Sequence, residues 1–427
     1  MNQNIFALHG QIAYAPSADV LRAMENGYLI CRGQDVLGAF DSLPEEYAGI
    51  PVTDYGDCLI IPGLVDLHVH APQYAFRGLG MNLELLDWLN RYTFPEEQKY
   101  ADLSYAGAMY GIFADDLLHS ATTRAVVFAT IHGPATVLLM NKLADTGLGA
   151  MVGKVNMDRN SPEGLCESSA EASLAATEEW VNDTLGRFAR VSPIITPRFI
   201  PSCTDGLSRG LGELARKYNL PVQSHLSENV SEVKWVKELC PESSGYADAY
   251  DRLGLLGGDA PTVMAHCVYV EGEEELLRER DVMVAHCPGS NANLASGIAP
   301  IRRLLNDGIR VGLGSDVAGG HSLSILRAMS DAVQASKLRY ACVDRGEKPL
   351  SLTEAFYLGA AGGGKFFAPN RLVGSFEPGY AMDAVVIDDS GLRKGQQLTL
   401  EQRLERVVYL SAESDIKAKY VDGVKIL

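Results

Sequence analysis

The stretch CLIIPGLVDLHVHA, residues 58–71, is apolar at nearly every position up to Leu67 and ends in His68-Val69-His70. A strand buried on one face alternates apolar and polar residues. A run without that alternation suits a strand buried on both faces, as in a parallel sheet flanked by helices. His68 and His70 stand at i and i+2, which in a strand puts both side chains on the same side. The stretch therefore reads as a buried parallel strand with two imidazoles at its C-terminal end.

Seven further runs of this kind follow: TTRAVVFATIH (122–132), GAMVGKVNMD (149–158), RVSPIITPRF (190–199), LPVQSHLSE (220–228), PTVMAHCVYV (261–270), DVMVAHCP (281–288) and IRVGLGSD (309–316). Stretches with helical spacing separate them, such as Leu174, Val181, Leu185 and Phe188, or Leu207, Leu211, Leu214 and Ala215. Eight strand–helix units predict an α/β fold, a closed (β/α)8 TIM-type barrel over residues 62–371. Residues 1–61 and 372–427 read differently. Short runs such as GYLICRG, PVTDYGD, MDAVVIDD, RVVYLS and IKAKYVDGVKIL predict antiparallel strands, so the two ends are expected to form a small β-sandwich beside the barrel.

The 427 residues are 47% hydrophobic and 21% charged, an ordinary globular composition. A net charge of −17 argues against nucleic acid or an anionic membrane as partner. No apolar run approaches the ~20 residues of a membrane-spanning helix. The start, MNQNIFALHG, has neither the basic residues nor the apolar run of a secretion signal. The eight cysteines are scattered without a C-x-x-C pair, which predicts buried free thiols in a cytoplasmic protein.

Of nine histidines, five (68, 70, 225, 266 and 286) fall at or near the C-terminal ends of predicted strands, the face on which barrel enzymes build their sites. Asp316 ends the eighth run. His68, His70, His225 and Asp316 together are a donor set for one divalent metal, with room left for water, and so for a hydrolase. Glu228, three residues after His225, suits either a proton carrier or an acid opening a helix. Arg198 ends a buried strand and needs a partner, either a salt bridge or a substrate.

PGLVDLHVH (62–70), the H-x-x-E of 225–228, His266 and the Ser-Asp of 315–316 resemble the amidohydrolase superfamily in its single-metal deaminase branch. APQYAFRGLG (71–80), YTFPEE (92–97) and ITPRF (195–199) are similar to the guanine deaminase family within it, and the segments keep the family's order over nearly the whole barrel. The resemblance implies hydrolytic deamination of guanine to xanthine and ammonia, a step of guanine catabolism or salvage. It implies one zinc, or another divalent ion, on His68, His70, His225 and Asp316. His266 would orient the attacking water, Glu228 would protonate the purine ring, and Glu228 and Asp316 would shuttle protons. Gln73, Arg198 and Phe199 would contact the purine, with His225, Glu228 and Asp316 also against it. A homodimer is the family expectation. Strand four lacks the lysine that bridges two metals in binuclear relatives, and Lys154 on strand three is expected to be structural. ATTR (121–124) and PGSNANL (288–294) depart from the family pattern. The first is expected to be structural; the second borders the site and is expected to alter the substrate pocket slightly, with His286 and Asn291 shaping the rim. The nearest rival is a related hydrolase of cytosine, adenosine-type or triazine rings; a non-catalytic relative would be expected to lose ligands. The P-C-x-x-C zinc motif of the cytidine-deaminase fold is absent.

Overall fold

The computed structural model describes residues 5–427 other than 259 and 369. The chain opens with β1 (Ile5–Ser17), β2 (Val20–Arg32), β3 (Asp35–Phe40) and β4 (Val52–Pro62). The decisive stretch then splits in two, because β5 (Leu64–His70) begins beyond Gly63. Only glycine fits that joint: a Cβ there would lie 2.2 Å from Thr123 Oγ1.

Next come β6 (Thr122–Phe128), β7 (Gly149–Gly153), β8 (Val155–Asn156), β9 (Val191–Pro193), β10 (Thr196–Pro197), β11 (Val222–Leu226), β12 (Thr262–His266), β13 (Met283–His286) and β14 (Arg310–Leu313). All eight apolar runs contain strand. The run 190–199 is broken into two short pieces, each ending in a proline that has no N–H for a ladder.

The pairing makes two four-stranded parallel sheets, β5-β6-β7-β9 and β11-β12-β13-β14. Their edges meet at two places. Ile195 bridges Val222 in parallel. At the other edge Asp316 N donates to His68 O (2.8 Å) and His70 N to Val317 O (3.0 Å). Val65, Leu67, Val126, Met151, Ile194, Val263, Ala265, Met283 and Ala285 share one buried cluster between the sheets. Leu64, Val69, Val222 and Met264 belong instead to the cluster that packs with the helices. The helix Asp205–Tyr218 buries Leu207, Leu211, Leu214 and Ala215, the residues its spacing singled out. Among the described residues no helix is long and apolar enough to cross a membrane.

The chain ends supply one seven-stranded sheet, ordered β17-β16-β15-β4-β1-β2-β3, where β15 is Ala384–Ile387, β16 Ile416–Val421 and β17 Val424–Lys425. The ladder is continuous across all seven strands. RVVYLS corrects an expectation: it lies in the helix Leu400–Leu410, not in a strand. Leu400, Leu404, Val407 and Val408 have helical spacing, and Thr399 with Gln402 closes a capping box. The β-branched pair concealed that pattern. All eight cysteines are free, but Cys166 and Cys342 are exposed where burial was expected.

Arg124, from the unusual ATTR segment, ties this sheet to the parallel ones. Its guanidinium donates to Asp383 (2.7 and 3.0 Å) and to Asp422 (2.8 Å). Asp383 is fully buried. Removing the cation would strand that carboxylate, so Arg124→Ala is expected to lower unfolding free energy by about 3–5 kcal/mol. Urea denaturation measures this. A loss below about 1 kcal/mol, the scale of a surface pair, would show the contact to be incidental.

Candidate metal and substrate site

The pairing of β5 with β6 slips by one residue between Asp66 and Val69. This bulge changes the strand's parity. Val65 and Leu67 face the interior, and beyond the bulge so do His68 and His70. A bulge that re-aims side chains beside a site is a recurrent device. Asp66 holds the local geometry. Its carboxylate accepts from His68 N (3.1 Å), Ser315 N (3.0 Å) and Ser315 Oγ (2.5 Å), joining β5 to the segment after β14.

His225 faces inward on the parity of Gln223. Its Nδ1 donates to Arg198 O (2.6 Å), which leaves Nε2 as a bare acceptor. His266 has the parity of Thr262 and Met264, which face the helices. It reaches the mouth because its backbone is left-handed, φ 73°, as is that of Cys267 after it, φ 49°. Asp316 also has positive φ, 45°. Such conformations carry a steric cost and are held here by the surrounding structure. Gly320 closes the turn after Asp316; a Cβ on it would lie 1.9 Å from Ser315 O.

The side chains converge. His70 Nε2 lies 3.2 Å from His68 Nε2 and 3.1 Å from His225 Nε2. Asp316 Oδ1 is 3.2 Å from His68 Nε2 and 3.5 Å from His70 Nε2, while Oδ2 is 3.7 Å from His266 Nε2. Burial lowers the pKa of His68, His70 and His225, which favours the neutral ring that offers a lone pair. Burial would raise the Asp316 carboxyl, but His68, His266 and His70 outweigh it and hold the group well below the usual range. Ligands of a tetrahedral zinc, with bonds of about 2.0–2.1 Å, lie about 3.3–3.4 Å apart. The observed separations and the neutral donors fit a divalent cation. Cys287 is also near His266 and Asp316. Its thiol is kept protonated by burial and points to Ala285 O (3.4 Å), which suits no ligand role.

Glu228 lies beside this cluster, with Oε2 3.4 Å from His266 Nε2, and its Oε1 accepts from Ser296 Oγ (3.1 Å). It precedes the helix Val230–Leu239, so it is outside the helix rather than opening it. Burial pushes its carboxyl up to about 7. Burial also acts on His266, but Glu228 and Asp316 outweigh it and raise the imidazole pKa.

A cleft opens over these groups. Gln73, Arg198, Glu228 and Glu232 form its polar lining; Leu85, Trp88, Leu89, Phe199 and Leu294 form its apolar wall. An apolar wall facing a set of convergent polar groups suits a small flat ligand with a polar edge. Arg198 lines the cleft and also pairs with buried Glu97, Nη1 to Oε2, 2.7 Å.

Glu97 was missed as a site residue, although it lies in the singled-out YTFPEE segment. So were Leu85, Trp88 and Leu89, from the segment around a π-turn at Leu89–Thr93. A single π-turn inside a helical stretch is a known marker of functional sites, but no residue type announces one. His286 and Asn291 correct another expectation, because neither shapes the rim. His286 has the outward parity of Val284 and lines a separate small cavity with Ile301, Ala332 and Arg339. Asn291 is buried beneath the site and accepts from His266 Nδ1 (2.9 Å). Lys154 is buried and paired with Glu167 (2.7 Å), away from the cleft lining.

This arrangement of strand-end histidines, one aspartate and a cleft has close counterparts. Residues 59–426 match the amidohydrolase family, and the chain belongs to that family. Within it, the similarity to guanine deaminases is extensive. A probable guanine deaminase of Schizosaccharomyces pombe is 42% identical over 85% of this chain and 70% of its own length. The guanine deaminase of Dictyostelium discoideum is 39% identical over 88% of this chain and 84% of its own. The crystal structure of a guanine deaminase from C. acetobutylicum, with guanine bound in its active site, superimposes with a TM-score of 0.96 at 44% identity, covering 99% of this chain and all of that one. The chain is thus a member of the guanine deaminase family.

Proposed function

We propose that the protein hydrolyses guanine to xanthine and ammonia at the cleft above Asp316. The observation that carries this reading is that buried Glu228, its carboxyl raised by burial, shares one cleft with the converging His70, His225 and Asp316 and with Gln73, Arg198 and Phe199. Family membership supports the substrate. His68, His70, His225 and Asp316 would hold one divalent ion, and the neutral imidazoles favour zinc. When bound, that ion lowers the pKa of a coordinated water from 15.7 to roughly 7.

The chain's own residues do the rest. Asp316 Oδ1 faces the histidines and Oδ2 faces His266, so one carboxylate can hold the ion and accept a proton from water. His266, its Nδ1 anchored on Asn291, directs Nε2 at the attacking oxygen. Glu228 delivers a proton to ring N3, making C2 electrophilic, and helps pass a proton to the departing amine. Arg198 and Gln73 supply hydrogen bonds to the purine edge, and Phe199 an apolar face. Together, guanine and water give xanthine and ammonia.

The same reading treats the two parallel sheets as one closed eight-stranded barrel over 62–371, supported by the hydrogen bonds at both shared edges. Residues 1–61 and 372–427 are the terminal β-domain, whose separate buried cluster supports a sheet folded over on itself. A cytoplasmic homodimer is the assembly in keeping with the family, and light scattering tests it.

Purified protein with one equivalent of zinc is expected to release ammonia from guanine and to form xanthine, followed by ultraviolet absorbance. Turnover of cytosine, adenosine or a triazine without turnover of guanine would overturn the reading.

A further inference from the structure

Glu97 is 1% exposed and contributes nothing to the cleft lining, yet both of its oxygens are committed to side chains that do. Gln73 Nε2 donates to Oε1 (3.0 Å), and Arg198 Nη1 donates to Oε2 (2.7 Å). We propose that Glu97 is a positioning residue that sets the hydrogen-bonding pattern of the substrate pocket. This rests on the reading that Gln73 and Arg198 hold the purine.

The physical case has three parts. An amide side chain can present either end to a ligand, and the two ends have opposite hydrogen-bonding character. A carboxylate accepts only, so Glu97 takes the NH2 end of Gln73; the reversed amide would set two acceptors together. Ala318 N fixes the other end by donating to Gln73 Oε1 (3.3 Å). Gln73 is thus left with one N–H and one lone pair, in a fixed order, for a ligand.

Arg198 is treated alike. Glu97 neutralises its buried charge, and the Phe94 ring lies 5.2 Å from the guanidinium carbon. Phe94 and Glu97 occupy one short helix, Phe94–Glu97, so a single segment supports the guanidinium on two sides. With one nitrogen used, the remaining N–H groups form an oriented fork of donors. Arg198 O meanwhile accepts from His225 Nδ1 (2.6 Å). The pocket's reading groups and a histidine of the cluster therefore share one anchored residue.

Glu97→Gln in the zinc-loaded protein tests this. The variant keeps the size but can satisfy only one of the two donors. The KM for guanine is expected to rise about 10- to 100-fold, the worth of a hydrogen bond to a charged group. The kcat should change far less, and zinc content and the pH profile of kcat should stay as in the unmodified protein. Glu97→Asp retains the charge and is expected to recover part of the KM loss; it also serves if Glu97→Gln folds poorly by thermal melting. An unchanged KM in folded variants, or a fall confined to Tm, overturns the positioning role alone. Absence of guanine turnover in the unmodified protein would instead overturn the functional reading, and this inference with it.

Discussion

Glu228→Gln is expected to keep its metal and lose about 10²–10⁴-fold in kcat, the usual contribution of a positioned general acid–base group. The amide has the carboxyl's shape and can still accept from Ser296 Oγ, which lies 3.1 Å from Oε1. It cannot give up and regain a proton. None of the proposed ligands His68, His70, His225 and Asp316 is hydrogen-bonded to Glu228, so zinc content should remain near one equivalent. The carboxyl is raised to about 7 by burial, which has a pH consequence. The protonated form is the donor, and it is lost as pH rises through about 7. An alkaline decline in kcat/KM near that pH is therefore expected, and Glu228→Gln should remove it. Near-normal turnover in the variant would take Glu228 out of the proton path.

His70→Ala attacks the site differently. His70 Nε2 sits within 3.2 Å of both His68 and His225, so its removal opens the centre of the donor set. Losing an outer partner of a metal ligand typically costs 10–100-fold in affinity, and a direct ligand should cost more. The variant is expected to purify with well under one equivalent of metal and to lose over about 10³-fold in kcat/KM at limiting zinc. The lost metal should also lower Tm, because an ion that binds only the folded state stabilises it. Plasma mass spectrometry and a melting curve measure both effects. Full zinc occupancy with normal turnover would remove His70 from the ligand set.

Period and residue type made much of the architecture legible. Eight unalternating apolar runs separated by helical spacing correspond to the observed parallel strands, because burial on both faces leaves no polar side to alternate. The meeting of His68, His70, His225 and Asp316 was legible for a related reason: each lies at the C-terminal end of an apolar run, and parallel strands bring those ends to one face. RVVYLS misled because two β-branched residues outweighed a capping box two turns earlier.

What the amino-acid order determined by itself was which side chains reach the mouth of the fold, and which chemistry they carry. Tertiary structure decided where they point. His266 and His286 both follow an apolar run at outward parity, and nothing local separates them. His266 turns into the site through a left-handed backbone, φ 73°, with Asn291 behind it. His286 keeps regular strand geometry and faces away. Likewise, the bulge that aims His68 inward exists only in the pairing of β5 with β6. Glu97 gains its partners Gln73 and Arg198 across 24 and 101 residues of chain. Register, backbone handedness and long-range pairing belong to the assembled sheet and not to any one segment, and so they became visible only in the folded chain.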